Sequence, residues 1–238
     1  MLRTLFYLFL LSASTLLAAV LPSRTAAVLQ EVSGSVGVIP VGGLTEGVSG
    51  IVIRRFDKEH EAIIAAAVVK NSGEARSEIE LLPFDALPQH RLPSIKAEPK
   101  SGDKVILGYL YDRVLPIVPN PASLEKAREA LPELTLVHPD LFAVELASER
   151  DALPHKNSFM KMCRKQHIGL VMFMFKDGTD FIDCLSWKKV AKTELSANEG
   201  ELTAPFYNRF GEIEAPFYDF SNYELKDFDK YYKKVEEE

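Results

Sequence analysis

Ile168-Gly169-Leu170-Val171-Met172-Phe173-Met174-Phe175 is apolar at every position except its glycine. Eight such residues read as a dense strand for the centre of a sheet rather than a helix. Lys176-Asp177-Gly178 follows with turn chemistry, so Asp180–Leu185 is expected to return beside it as a hairpin. Upstream the pattern is helical. Asn120 is placed to cap a helix with Pro121 preset at its first position, and Leu124, Ala127 and Leu131 recur at helical spacing. Leu134–Val137 reads as a short strand. Pro139 opens a second helix through Ala147, with Leu141 and Val144 on one face. Asn157 or Ser158 caps a third, whose stripe is Phe159, Met162, Cys163 and Gln166. Residues 119–190 therefore form an α+β unit of about 70 residues, marginal alone and expected to pack on a neighbour.

That neighbour lies N-terminal to it. Gly34, Gly37, Gly42, Gly43, Gly47 and Gly50 punctuate short apolar runs at 25–32, 36–41 and 50–55. Ala62–Val69 fits strand or helix and is closed by Asn71-Ser72-Gly73. Arg76–Leu82 alternates like a half-buried strand, and Lys104–Tyr111 follows the Gly102-Asp103 turn. Residues 24–118 thus read as a small β-rich, barrel-like domain, and the whole chain as α+β. From Glu199 to Glu238 there are 11 acidic, 5 basic and 10 aromatic residues, and Ala204-Pro205-Phe206-Tyr207 recurs as Ala215-Pro216-Phe217-Tyr218. A solvated tail lacks aromatics, so residues 191–238 are expected to lie across the surface with their rings buried, ending in a short helix within Leu225–Val235. The other reading of this segment is an aromatic-acidic docking strip for a partner.

Residues 1–19 read as a secretory signal, with Arg3 before an apolar run and small residues at Ala18 and Ala19 for cleavage. The alternative is an uncleaved anchor helix, for which the run is short. The chain is expected to be exported, to the periplasm or the cell surface. Its net charge of −6 argues against a nucleic-acid binder or a polybasic membrane anchor.

No residue set makes a convincing active site. Glycines 34–50 lack the spacing of a phosphate loop and lead into a strand. His138-Pro139-Asp140 resembles the J-domain tripeptide, but an apolar strand precedes it, and it reads as a helix start with Asp140 at the positive end of the dipole. Asp57, Glu59 and His60 lack the paired spacing of a zinc helix and read as a solvated loop. Cys163 and Cys184 are expected to form a disulfide in an exported chain. The alternative is Cys163 as a nucleophile, with His138, His155 or His167 as its base. No enzyme activity, metal or cofactor is expected.

Several blocks in fixed order carry a family resemblance: Gly47-Val48-Ser49-Gly50-Ile51-Val52, Phe56-Asp57-Lys58-Glu59-His60, Pro83-Phe84-Asp85, Gly102-Asp103-Lys104-Val105-Ile106-Leu107 and Tyr109-Leu110-Tyr111-Asp112-Arg113. It continues through Pro119-Asn120, His138-Pro139-Asp140-Leu141, Cys163, Ile168-Gly169-Leu170, Asp183-Cys184 and Arg209-Phe210-Gly211-Glu212-Ile213-Glu214. The chain resembles the N-terminal domain of bacterial plasminogen-binding surface proteins over nearly its whole length after the leader. The resemblance implies binding of a host zymogen, plasminogen, through lysines reached by the partner's kringle modules. In this sequence the end reads Lys233-Lys234-Val235-Glu236-Glu237-Glu238, without a lysine at the terminus. Lys233 and Lys234 beside three glutamates are therefore the expected partner-binding residues. The alternative function is a structural or assembly module of the cell envelope.

Overall fold

The computed structural model describes residues 21–84, 97–210, 213 and 225–238. The leader at 1–19 and the second Ala-Pro-Phe-Tyr at 215–218 lie outside the described residues. Seven strands build the first sheet: β1 (Thr25–Val28), β2 (Glu31–Ser33), β3 (Val36–Ile39), β4 (Ser49–Arg55), β5 (Glu61–Ser72), β6 (Ser77–Leu82) and β7 (Lys104–Leu107). Their order is β1-β7-β4-β5-β6-β3-β2, with every pairing antiparallel.

The two edge strands, β1 and β2, are separated in the chain by Leu29 and Gln30 alone. Three residue steps reach at most about 11 Å, so the sheet has to curl until its edges meet. The two linking residues each extend a pairing on their own side: Leu29 N donates to Asp103 O beside β7, and Gln30 N to Val38 O of β3, both at 2.9 Å. The curled interior holds Leu29, Val52, Val69, Ile79 and Val105. The ambiguous 62–69 run is part of the longest strand, β5, paired on both sides. The strand expected over Lys104–Tyr111 ends at Leu107, because Gly108 and Leu110 both take φ of 66° and turn the chain out of the sheet. Thr25–Val32, expected as one run, is divided where the chain passes from one edge of the curled half-barrel to the other.

The remaining chain forms β8 (Arg113–Ile117), α1 (Pro121–Ala130), β9 (Thr135–Leu136), α2 (Pro139–Glu149), α3 (Lys156–Gln166), β10 (Leu170–Phe175), β11 (Gly178–Asp183), β12 (Lys189–Thr193) and α4 (Phe228–Glu236). The second sheet runs β12-β11-β10-β8-β9. β10 is central, parallel to β8 and antiparallel to β11. Its alternate side chains feed two cores. Leu170, Met172 and Met174 join the barrel interior and α1, whereas Val171, Phe173 and Phe175 pack against α2, α3 and α4. Burying each such side chain contributes roughly 1.5–3 kcal/mol, so β10 ties the two layers into one structure.

The helix starts follow their capping chemistry. The Asn120 side chain accepts from Ser123 N at 2.9 Å, with Pro121 in the first turn. His138 Nδ1 accepts from Asp140 N at 3.2 Å. For α3 the cap is His155 rather than Asn157 or Ser158: Ser158 Oγ lies 2.9 Å from His155 Nδ1 and accepts from His155 N at 3.3 Å. On α2, Leu141 and Val144 share a face as expected, and that face is turned to solvent. Leu141 and Val144 are 49% and 47% exposed, and the core takes Phe142, Ala143 and Leu146 instead. Apolar residues at 141–144 and 146 leave the sequence with no single stripe, so the packing partner decides.

Candidate binding face at the C-terminal helix

α4 starts at Asp227, whose carboxylate accepts from Lys230 N at 3.0 Å. Phe228, Tyr232 and Val235 recur at helical spacing and are buried. Tyr232 stacks on Phe173 with ring centroids 5.2 Å apart, meets Phe228 at 4.7 Å, and donates its hydroxyl to Pro205 O at 2.9 Å. Trp187 Nε1 donates to Val235 O at 3.0 Å. The expectation that rings of the final segment are buried holds for Phe206, Phe228 and Tyr232, which the second core encloses, and fails for Phe210, which is 65% exposed.

This docking fixes the two lysines of the last turn differently. Lys233 Nζ lies 2.8 Å from Asp177 Oδ2, on the hairpin turn between β10 and β11, and 5.2 Å from the centre of the Phe175 ring. The hydrogen bond from Lys233 lowers the Asp177 pKa, and the same bond raises that of Lys233. Lys234 is exposed, and its ammonium has no partner among the described residues. Glu236 turns inward: Lys189 Nζ is 3.4 Å from its Oε2 and 2.5 Å from Asp180 Oδ2, with Lys192 4.0 Å from Asp180 Oδ1. Burial, then the Asp180 carboxylate, push the Glu236 carboxyl up to about 7 despite Lys189. Glu238 is drawn to the start of α3, where its Oε2 accepts from Lys156 N at 3.0 Å. The last turn of this firmly held helix thus presents one bound and one open ammonium, Lys233 and Lys234. Sequence reasoning singled out both lysines but missed Asp177 as the partner of Lys233. Its position in the Lys176-Asp177-Gly178 turn was the available signal.

The other candidates fall elsewhere. Cys163 and Cys184 are joined by a disulfide, S–S 2.05 Å, which leaves no thiol for nucleophilic work. His138 caps α2, where burial lowers its pKa against the pull of Asp140. His155 caps α3, and His167 ends it in the left-handed region at φ 52°. At the β4–β5 tip, Asp57 binds the His60 ring at 2.8 Å and also accepts from Glu59 N and His60 N. That loop satisfies itself, and among the described residues no group of three or more His, Cys, Asp or Glu side chains is placed to hold a metal ion. Nor is any described helix long and apolar enough to cross a membrane.

A family model described as plasminogen-binding protein pgbA N-terminal matches residues 26–235. No curated protein matches the chain.

Proposed function

The chain belongs to the plasminogen-binding protein pgbA N-terminal family, and from that premise we propose that it is an exported, non-catalytic binding module that takes plasminogen through the lysines of α4. One observation supports this reading above others: Lys234 stands exposed on the last turn of a helix whose opposite face is anchored by Phe228, Tyr232 and Val235. Glu237, the exposed cap of the helix, follows three positions on, whereas the Glu238 carboxylate already accepts from Lys156 N. A kringle pocket offers carboxylates to an ammonium and a cation to a nearby carboxylate. The Lys234 ammonium with the Glu237 carboxylate close in sequence supplies both charges without needing a free terminal lysine. Lys233 has the secondary role, since Asp177 already holds it.

The test is binding of the purified chain to immobilised plasminogen, with a soluble lysine analogue as competitor. Lysine-competable binding that weakens in Lys234→Ala supports the assignment. Competable binding unchanged in Lys234→Ala moves the contact to another lysine, and absence of binding overturns the function.

A further inference from the structure

A groove of about 480 Å³ opens between the outer face of the first sheet and the end of α3. Ile51 and Ala66, register partners on β4 and β5, point away from the barrel interior, which takes their neighbours Val52, Ala65 and Ala67. With Met160 and Ile168 they form an apolar wall, and the Cys163–Cys184 disulfide lies in the floor. The volume falls within the range of small-molecule sites, roughly 300–1,000 Å³. The lining offers a ligand no open charge. Among the described residues that line it there is no carboxylate, and Arg164, its one formal cation, already has a partner. What stands open is hydrogen bonding. Tyr109 and His167 both line the groove, and neither side chain has a hydrogen-bond partner among the described residues. A phenol hydroxyl and an imidazole ring can each donate and accept. Ser49, also in the lining, already donates its hydroxyl to Asp183.

We propose that this groove binds an uncharged single-chain aliphatic alcohol, its hydrocarbon against Ile51, Ala66, Met160 and Ile168 and its hydroxyl toward Tyr109 and His167. The chain gains by leaving water for the apolar wall. A headgroup charged with either sign gives up hydration in the groove and meets no open counter-charge. Carboxylate and ammonium amphiphiles of the same length are therefore disfavoured together, on the same wall. A hydroxyl loses little on entry, because Tyr109 and His167 replace the hydrogen bonds it made to water. No residue of α4 lines the groove, so a lysine analogue leaves it untouched.

Calorimetric titration of the full chain with decanol, decanoate and decyltrimethylammonium, each below its micelle concentration, tests the proposal. Decanol is expected to bind at least about tenfold more tightly than either ionic amphiphile. Tyr109→Phe keeps the ring and removes the hydroxyl, and lowers decanol affinity by about fivefold. Ala66→Leu projects a larger side chain into the groove and removes decanol binding. Thermal unfolding checks that each variant folds, and Met160→Trp, which fills the groove from the α3 side, replaces Ala66→Leu if it does not. Equal or tighter binding of either ionic amphiphile, unaltered decanol affinity in Tyr109→Phe or in a folded groove-filling variant, or no uptake by the parent chain overturns the proposal.

Discussion

Ser49 and Asp183, 134 positions apart, meet where the curled sheet touches the second sheet: Ser49 Oγ donates to Asp183 Oδ2 at 2.5 Å. The same oxygen accepts from Tyr111 OH at 2.7 Å and from Ser49 N at 3.2 Å, and Oδ1 accepts from Leu185 N and Ser186 N. Asp183 is fully buried. Burial, then the charge and hydrogen bond of Asp183, hold the Tyr111 pKa far above its ordinary value, so that hydroxyl stays a donor. Backbone turns and side chains from three parts of the chain thus converge on one carboxylate.

Its removal is expected to be expensive. Asp183→Ala strands several buried donors at once, and each unsatisfied group costs about 1–3 kcal/mol. The expected loss is about 3 kcal/mol or more. Tyr111→Phe removes one donor and leaves the others satisfied, for a loss of about 1 kcal/mol. Urea denaturation of the three proteins checks the ranking. An Asp183 variant as stable as Tyr111→Phe would show that this carboxylate does not hold the sheets together.

The Cys163–Cys184 bridge pins α3 to the turn after β11 across 21 positions of chain. A closed loop of this size constrains the unfolded state by roughly 3 kcal/mol in the chain-entropy account. The Cys163→Ser, Cys184→Ser double variant is expected to lose about that much in denaturant, and the parent to lose it when unfolded under reducing conditions. Equal stability of bridged and unbridged chains would refute the expectation.

Glu236 makes the docking of α4 depend on pH. Its folded pKa of about 7 stands above the ordinary 4.5, so the folded chain keeps a proton that the unfolded chain has already released. Stability then falls as pH rises from about 4.5 to about 7 and stays level above. The groups facing Glu236 are Asp180, Lys189 and, through Asp180, Lys192. Once Glu236 ionises, two buried carboxylates compete for the Lys189 ammonium. Trp187, bonded to Val235 O, is a local reporter. Denaturant unfolding followed by its fluorescence is expected to show a midpoint that drops across this window in the parent and changes less in Glu236→Gln. The same slope in both proteins would assign the effect to another group.

Much of this architecture was readable from particular residues. β10 was legible because its apolar side chains serve two cores and leave no wet face to interrupt the run. The α1 start was legible because Asn120-Pro121 carries its own capping chemistry. β12 was missed because Lys189–Thr193 is an edge strand with only Val190 and Thr193 buried, too few positions to set a period. Which face of α2 the core takes was not legible, because apolar residues surround its first turn. The binding face was half legible. Lys233 and Lys234 stand together in sequence, but their difference comes from Asp177, 56 positions away, and no local pattern announces a contact that the packing of α4 on β10 creates.

That difference supplies the last prediction. Lys233 is held by Asp177 and lies over Phe175, so Lys233→Ala should lower the unfolding midpoint slightly. An exposed ion pair contributes about 1 kcal/mol or less. The Lys234 ammonium makes no ion pair or hydrogen bond among the described residues, so Lys234→Ala should leave the midpoint unchanged and act on binding alone. Exposed ionic contacts are screened by salt, which sets the expected loss in plasminogen affinity at about threefold to fivefold, smaller still at high ionic strength. Lys233→Ala should weaken binding less than Lys234→Ala, because any partner must first draw the Lys233 ammonium from Asp177. Parallel denaturation and binding measurements on the two single variants separate these effects. If Lys233→Ala proves the more damaging to lysine-competable binding without loss of stability, the Lys233–Asp177 pair is the ligand and Lys234 the bystander. If the parent fails to bind plasminogen at all, the chain is better read as an assembly module of the cell envelope, with α4 serving to close the second core.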